Sequence, residues 1–148
     1  MRIAPRRLQA TRTLFARVAH ALPPTLGGAG AGGNTWRLVG LNERLRFLRY
    51  DVGQKFEAHC DGAFVRGAEA AAFAGQRTFI TLLLYLNKEY EGAFTTFCDA
   101  GDEPARMLAV APAEGLVLLH DHQILHCVPP LVAGRKYVLR TDVLYARE

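Results

Sequence analysis

Thr78-Phe79-Ile80-Thr81-Leu82-Leu83-Leu84-Tyr85-Leu86 is a short apolar run, closed by Asn87 and a polar turn reaching Gly92, then answered by a second run from Phe94 to Cys98. Read as strand, turn and strand, it sets a rhythm that continues on both sides. Upstream stand Leu45 to Asp51 and Lys55 to His59; downstream stand Met107 to Val110, Leu116 to Leu119, Ile124 to Val128 and Lys136 to Tyr145. Gly53, Asp99 to Pro104, Pro112 to Gly115 and Ala133-Gly134 supply the intervening turns. Short runs with this punctuation predict an all-β sandwich or barrel, and their number is that of a double-sheet jelly roll. A helical excursion is expected only around Ala68 to Ala74.

Ahead of the β region, Leu8, Phe15, Val18 and Leu22 recur at helical spacing, which predicts a helix from about Pro5 to Ala21, stopped by Pro23-Pro24. Gly27 to Gly33 follows. By letters it contains a G-x-G-x-x-G motif, but the dinucleotide-binding form needs a strand before it and a helix after it, and neither neighbour reads that way. It is read as a linker, giving a helix-and-linker segment over residues 1–40 and a jelly-roll domain over 41–148.

The composition narrows function. Of 148 residues, half are hydrophobic and 22% charged, as in one globular domain. Serine is absent, which excludes every serine nucleophile. No apolar run approaches the roughly 18 residues of a membrane helix. The formal net charge of +4 is uneven: residues 1–41 hold six arginines (Arg2, Arg6, Arg7, Arg12, Arg17, Arg37) and no acid. A helix with an arginine-rich solvent face accounts for this arm, and nucleic acid is not the expected partner. No secretory core follows Met1, so the expected location is cytoplasmic. Cys60, Cys98 and Cys127 are odd in number and never spaced C-x-x-C, and read as small, buried, reduced side chains.

Polar residues with chemical capacity gather in two places. In His59-Cys60-Asp61 the imidazole and carboxylate lie two apart, hence on one side of an extended chain. His126 opens a segment before Pro129-Pro130 and the last strand. Two histidines and one carboxylate form the facial triad that holds non-haem Fe(II) with open positions. His120 and His122 would share a face with each other and, with His126, offer a three-histidine zinc set that leaves His59 and Asp61 unexplained; His122 is read as a residue that supports the ligands or packs, with no ligand role of its own.

Ordered segments around these residues resemble the prolyl 4-hydroxylase type of 2-oxoglutarate and Fe(II)-dependent dioxygenase, from roughly Leu41 to Tyr145. They are Tyr50-x-x-Gly53-x-x-Phe56-x-x-His59-x-Asp61; Tyr85-Leu86-Asn87 with Tyr90-Glu91-Gly92 and Thr95-Thr96-Phe97; Pro112-Ala113-Glu114-Gly115 ahead of an apolar strand; and His126 with Pro130, Gly134 and Lys136. The resemblance implies a double-stranded β-helix of jelly-roll, cupin-like type. It implies Fe(II) on His59, Asp61 and His126, 2-oxoglutarate and O2 as cosubstrates, ascorbate dependence, and hydroxylation of a peptide or protein side chain of prolyl type or of a small molecule.

The far carboxylate of 2-oxoglutarate would need a cation. Lys136 stands where the family places a basic residue, and Arg140, four residues on along the same face, competes with it. Tyr85 and Tyr50 are candidates to complete the cosubstrate's hydrogen bonds, while Thr81, Leu83 and Thr95 are candidate pocket residues. Ala93 replaces the second glycine of the family's pair, a change a turn absorbs if φ is negative there. Gly62 to Gln76 and Asp99 to Arg106 are the candidate substrate loops. Two other classes stay open at this level: a non-catalytic metal-binding jelly-roll module, and a nucleic-acid-associated protein using the basic arm.

Overall fold

The computed structural model describes residues 5–28, 32–98 and 107–148. The turn expected over 99–104, the candidate substrate loop over 99–106 and part of the Gly27 to Gly33 linker lie outside them. The described chain is mainly β with an N-terminal helix, and its registered strand pairs are antiparallel. It divides into two compact units, residues 1–45, 63–81 and 141–148, and residues 46–62 and 82–140.

In the first unit, α1 (Pro5–Val18) continues into a 3-10 turn, Ala19–Ala21. Its first residue is proline, whose missing N–H costs nothing at that position. Val18 and Leu22 are buried while Arg12 and Arg17 face solvent, the arginine-bearing face expected of the basic arm. β1 (Thr25–Leu26) pairs with β2 (Trp36–Leu41), and β2 pairs with the distal part of β12 (Lys136–Arg147), Val143 facing Leu41 and Arg147 facing Trp36. Phe79 sits edge-on to Trp36 and Tyr145, with centroids 5.2 and 5.9 Å away, and the Tyr145 hydroxyl donates to Pro23 O at 3.0 Å. Trp36 and Tyr145 are buried, each worth about 1.5–3 kcal/mol, and Phe79 is half-buried. The expected excursion near Ala68 is Ala68–Phe73, short 3-10 turns broken at Ala71, whose φ is 48°.

The second unit contains β3 (Arg46–Tyr50), β4 (Phe56–His59), β6 (Tyr90–Gly92), β7 (Thr95–Phe97), β8 (Leu108–Val110), β9 (Val117–Asp121), β10 (His126–Val128) and β11 (Leu131–Gly134). To these it adds the later residues of β5 (Arg77–Tyr85) and the first of β12. One sheet has the order β4-β10-β7-β8. β12 pairs with β3 from Lys136 opposite Tyr50 to Arg140 opposite Arg46, and Leu86 N–H reaches Tyr137 O at 3.0 Å. Among the described residues β6 and β11 pair only with each other.

Four short strands exceed the eight expected: β1, β2, β6 and β11. Tyr90–Gly92 and Leu131–Gly134 each close on a glycine where the chain bends sharply. Gly92 and Gly134 adopt φ of 76° and 79°, and a Cβ on either would meet a backbone oxygen at 2.6 or 2.7 Å. Ala93 follows with φ 51°, not the negative value expected of an alanine. Cys98 and Cys127 are half-buried with Sγ atoms 3.8 Å apart, whereas Cys60 is exposed rather than buried.

Candidate metal centre

His59 ends β4 and His126 opens β10, and the antiparallel register puts them directly opposite each other. Side chains of facing residues share one side of the sheet, and the two rings lie 4.3 Å apart by centroid. Asp61 is two residues beyond His59, its backbone N–H held by His122 O at 2.8 Å. His59 Nε2 is 3.5 Å and His126 Nε2 3.9 Å from Asp61 Oδ1, and one ligand atom from each of the three residues lies within 4.8 Å of the others.

The tautomers follow from the partners of Nδ1. His59 Nδ1 is 2.7 Å from Glu57 O, and His126 Nδ1 is 2.9 Å from Ile124 O. A carbonyl only accepts, so both Nδ1 atoms carry a hydrogen, which leaves each Nε2, turned toward Asp61, as the nitrogen able to bind a metal. Two imidazole nitrogens and one carboxylate on adjoining segments fit a divalent cation with positions to spare, the donor set of non-haem iron. Phe56 and Phe97 pack beside the rings, at 4.2 Å from His59 and 6.1 Å from His126.

Arg140 Nη2 donates to Asp61 Oδ1 at 2.8 Å, with the Asp61 side chain 2% exposed. His120, on β9, turns Nε2 toward Asp61 Oδ2 at 3.8 Å, its ring 4.6 Å from that of His126. Burial pushes the His120 imidazole below its usual pKa, favouring the neutral form. Sequence reasoning set His120 beside His122 in the rival zinc set and gave it no place next to Asp61. His120 and His122 do not share an extended segment, because β9 ends at Asp121 and the chain turns there, with Ile124 N–H bonding Asp121 O. The paired histidine letters were the signal; the turn between them decides which ring faces Asp61.

Lys136 is 2% exposed at the start of β12. Its Nζ donates to Ala93 O at 2.6 Å and lies 5.1 and 5.5 Å from the rings of Tyr50 and Tyr85. No ion pair to a carboxylate joins it among the described residues, and burial lowers its pKa to about 8. Tyr85 and Thr95 are fully buried, and the Tyr85 hydroxyl donates to Thr95 Oγ1 at 2.7 Å. Burial raises the pKa of both Tyr50 and Tyr85; Arg140 partly opposes this at Tyr50. Leu83 packs with Tyr85 and Val138. Thr81 is also buried but belongs to the other unit.

The family model described as the 2OG-Fe(II) oxygenase superfamily matches residues 45–141. No curated protein matches the chain. Among solved structures it is similar to an oxidoreductase of the 2OG-Fe(II) oxygenase family from Burkholderia pseudomallei, at 18% identity and TM-score 0.52, covering 72% of this chain and 43% of that one. It is also similar to a Pseudomonas putida prolyl-4-hydroxylase, at 19% identity and TM-score 0.52, covering 75% of this chain and 55% of that one. A viral collagen prolyl hydroxylase from Paramecium Bursaria Chlorella virus-1 matches at 17% identity and TM-score 0.50, covering 93% of this chain and 69% of that one. This chain thus spans about half the length of the first two. At these identities the likeness shows the fold, the jelly roll that the sequence predicts.

Proposed function

The chain belongs to the 2OG-Fe(II) oxygenase superfamily, and we propose that it hydroxylates an unactivated C–H bond while oxidatively decarboxylating 2-oxoglutarate. The balance is R–H, O2 and 2-oxoglutarate going to R–OH, succinate and CO2. The substrate class is a peptide or protein side chain of prolyl type, or a small molecule. Two of the similar solved structures are prolyl hydroxylases by their own description.

The observation that carries this reading is Lys136. A buried ammonium facing two aromatic rings and one carbonyl, with no carboxylate partner among the described residues, costs free energy unless an anion completes it. The far carboxylate of 2-oxoglutarate is such an anion. Arg140, the competing candidate, is engaged by Asp61. His59, Asp61 and His126 would hold Fe(II), which supplies the oxidising chemistry when bound. Glu57 O and Ile124 O fix the imidazole tautomers, and Arg140 orients Asp61. Tyr50 and Tyr85 turn their ring faces to the Lys136 ammonium, and the Tyr85 hydroxyl is held by Thr95. Ascorbate, as a reductant that protects ferrous iron, belongs to the same proposal.

The test is succinate formation from 2-oxoglutarate with Fe(II) and ascorbate in the intact chain, in His59→Ala and in Lys136→Ala. Loss of turnover in both variants is expected. Turnover unchanged by either overturns the site assignment, and absence of 2-oxoglutarate binding favours a metal-binding module without catalysis.

A further inference from the structure

β3 has a partner on one side only: among the described residues it pairs with β12 alone. Beside it lies an open cavity of about 810 Å3, lined by every residue of β3, by residues 53–56 and by Arg140. Four of the lining side chains are cationic, Arg46, Arg49, Lys55 and Arg140, and none is acidic. Phe47, 73% exposed, and Phe56, 48% exposed, line it as well.

We propose that this cavity is the docking cleft for an extended acidic peptide, which adds as a strand alongside β3; the proposal rests on the oxygenase reading and names its substrate class. The five residues of β3 span roughly 17 Å, a length matched to a peptide backbone rather than to one small acid. A one-sided strand offers unpaired N–H and C=O groups that an incoming chain can satisfy, and side chains of the incoming strand then alternate toward and away from the cleft. Arg49 and Lys55 already meet Asp51 at 3.0 Å and Glu57 at 2.6 Å, but these are exposed pairs, worth little and readily exchanged for a ligand's carboxylates. The two phenylalanines supply apolar contact. Arg140 both lines the cleft and contacts Asp61 at 2.8 Å, so a peptide seated there lies beside the metal-binding residues.

The experiment is fluorescence anisotropy on the full chain. The probes are a labelled eight-residue peptide alternating Glu and Thr, one alternating Lys and Thr, and the acidic peptide with alternate backbone nitrogens methylated. The acidic peptide is expected to bind about tenfold more tightly than the basic one. Arg49→Gln/Lys55→Gln should weaken it about fivefold, whereas Arg12→Gln/Arg17→Gln on α1 should leave it unchanged. Methylation on the pairing edge should weaken it about tenfold. Equal affinity for both charges, equal loss in the α1 variant, or indifference to methylation with displacement by free glutarate each overturns the proposal. Mn(II) and 2-oxoglutarate binding are measured on the same samples. Cosubstrate binding without peptide discrimination overturns the cleft alone, and discrimination without cosubstrate binding overturns the oxygenase reading alone.

Discussion

Ala93 presents its carbonyl to Lys136 Nζ at 2.6 Å from a left-handed backbone, φ 51°. The acceptor for the buried ammonium is thus set by a conformation that a side chain disfavours by roughly 1–2 kcal/mol. Glycine at this place would gain that term and lose a buried methyl worth about 0.8 kcal/mol, so Ala93→Gly should fall within about 1 kcal/mol of the parent in urea denaturation. Ala93→Val should lose about 2–3 kcal/mol, because a β-branched residue resists positive φ and the site is fully buried. It should also weaken 2-oxoglutarate binding. A valine variant as stable as the parent would show that this turn relaxes freely.

Lys136 makes the stability of the cosubstrate-free fold depend on pH. Its pKa is about 8 in the fold, against about 10.4 in an unfolded chain. Between those values the unfolded chain holds a proton that the folded chain has released, so stability rises with pH across that window, by up to about 3 kcal/mol. The gain is complete above pH 10.4 and is lost as pH falls through 8. Lys136→Met should flatten this rise, stabilise the fold at pH 7 and abolish 2-oxoglutarate binding. Binding in the parent should itself weaken above pH 8, where the ammonium discharges. Urea denaturation and calorimetric titration from pH 7 to 10 measure both trends; an equal slope in the methionine variant would remove Lys136 as their source.

How far these positions were legible follows from sequence spacing. His59 and Asp61 could be paired because alternation in a strand is local, and Lys136 and Arg140 share a face for the same reason. That His126 would meet them depends on the register of β10 against β4, which no local pattern encodes; only the ordered resemblance supplied it. His120 was misplaced because the turn after Asp121 is written in residues that also suit a strand. The short pair β6 and β11 was hidden for the opposite reason, since its strand residues are also its turn residues.

The rival three-histidine assignment makes a separable prediction. His120 packs its ring on Phe97 at 5.3 Å and on His126 at 4.6 Å, and its Nδ1 is tied to Asp121 O at 3.0 Å. If it only packs and faces Asp61, His120→Phe should keep Co(II) affinity within about fivefold, in contrast to His126→Phe, where the loss of a ligand should exceed a hundredfold. Visible absorption of bound Co(II) reports both affinity and ligand set. Comparable losses in the two variants would make His120 a ligand.

Arg140 and Asp61 form the buried pair whose breaking should depend on metal. Removing one partner of such a pair destabilises by about 3–5 kcal/mol. Arg140→Met should therefore lower the melting temperature of the metal-free chain, since Asp61 at 2% exposure loses the guanidinium held at 2.8 Å. A divalent ion on His59, Asp61 and His126 would replace that positive charge at the same carboxylate. Saturating Mn(II) should then raise the melting temperature of Arg140→Met more than that of the parent, and Mn(II) should bind the variant at least as tightly, because a competing cation has gone. Thermal melts with and without Mn(II) decide it: an equal shift in both proteins would mean that the guanidinium and the metal act on Asp61 independently.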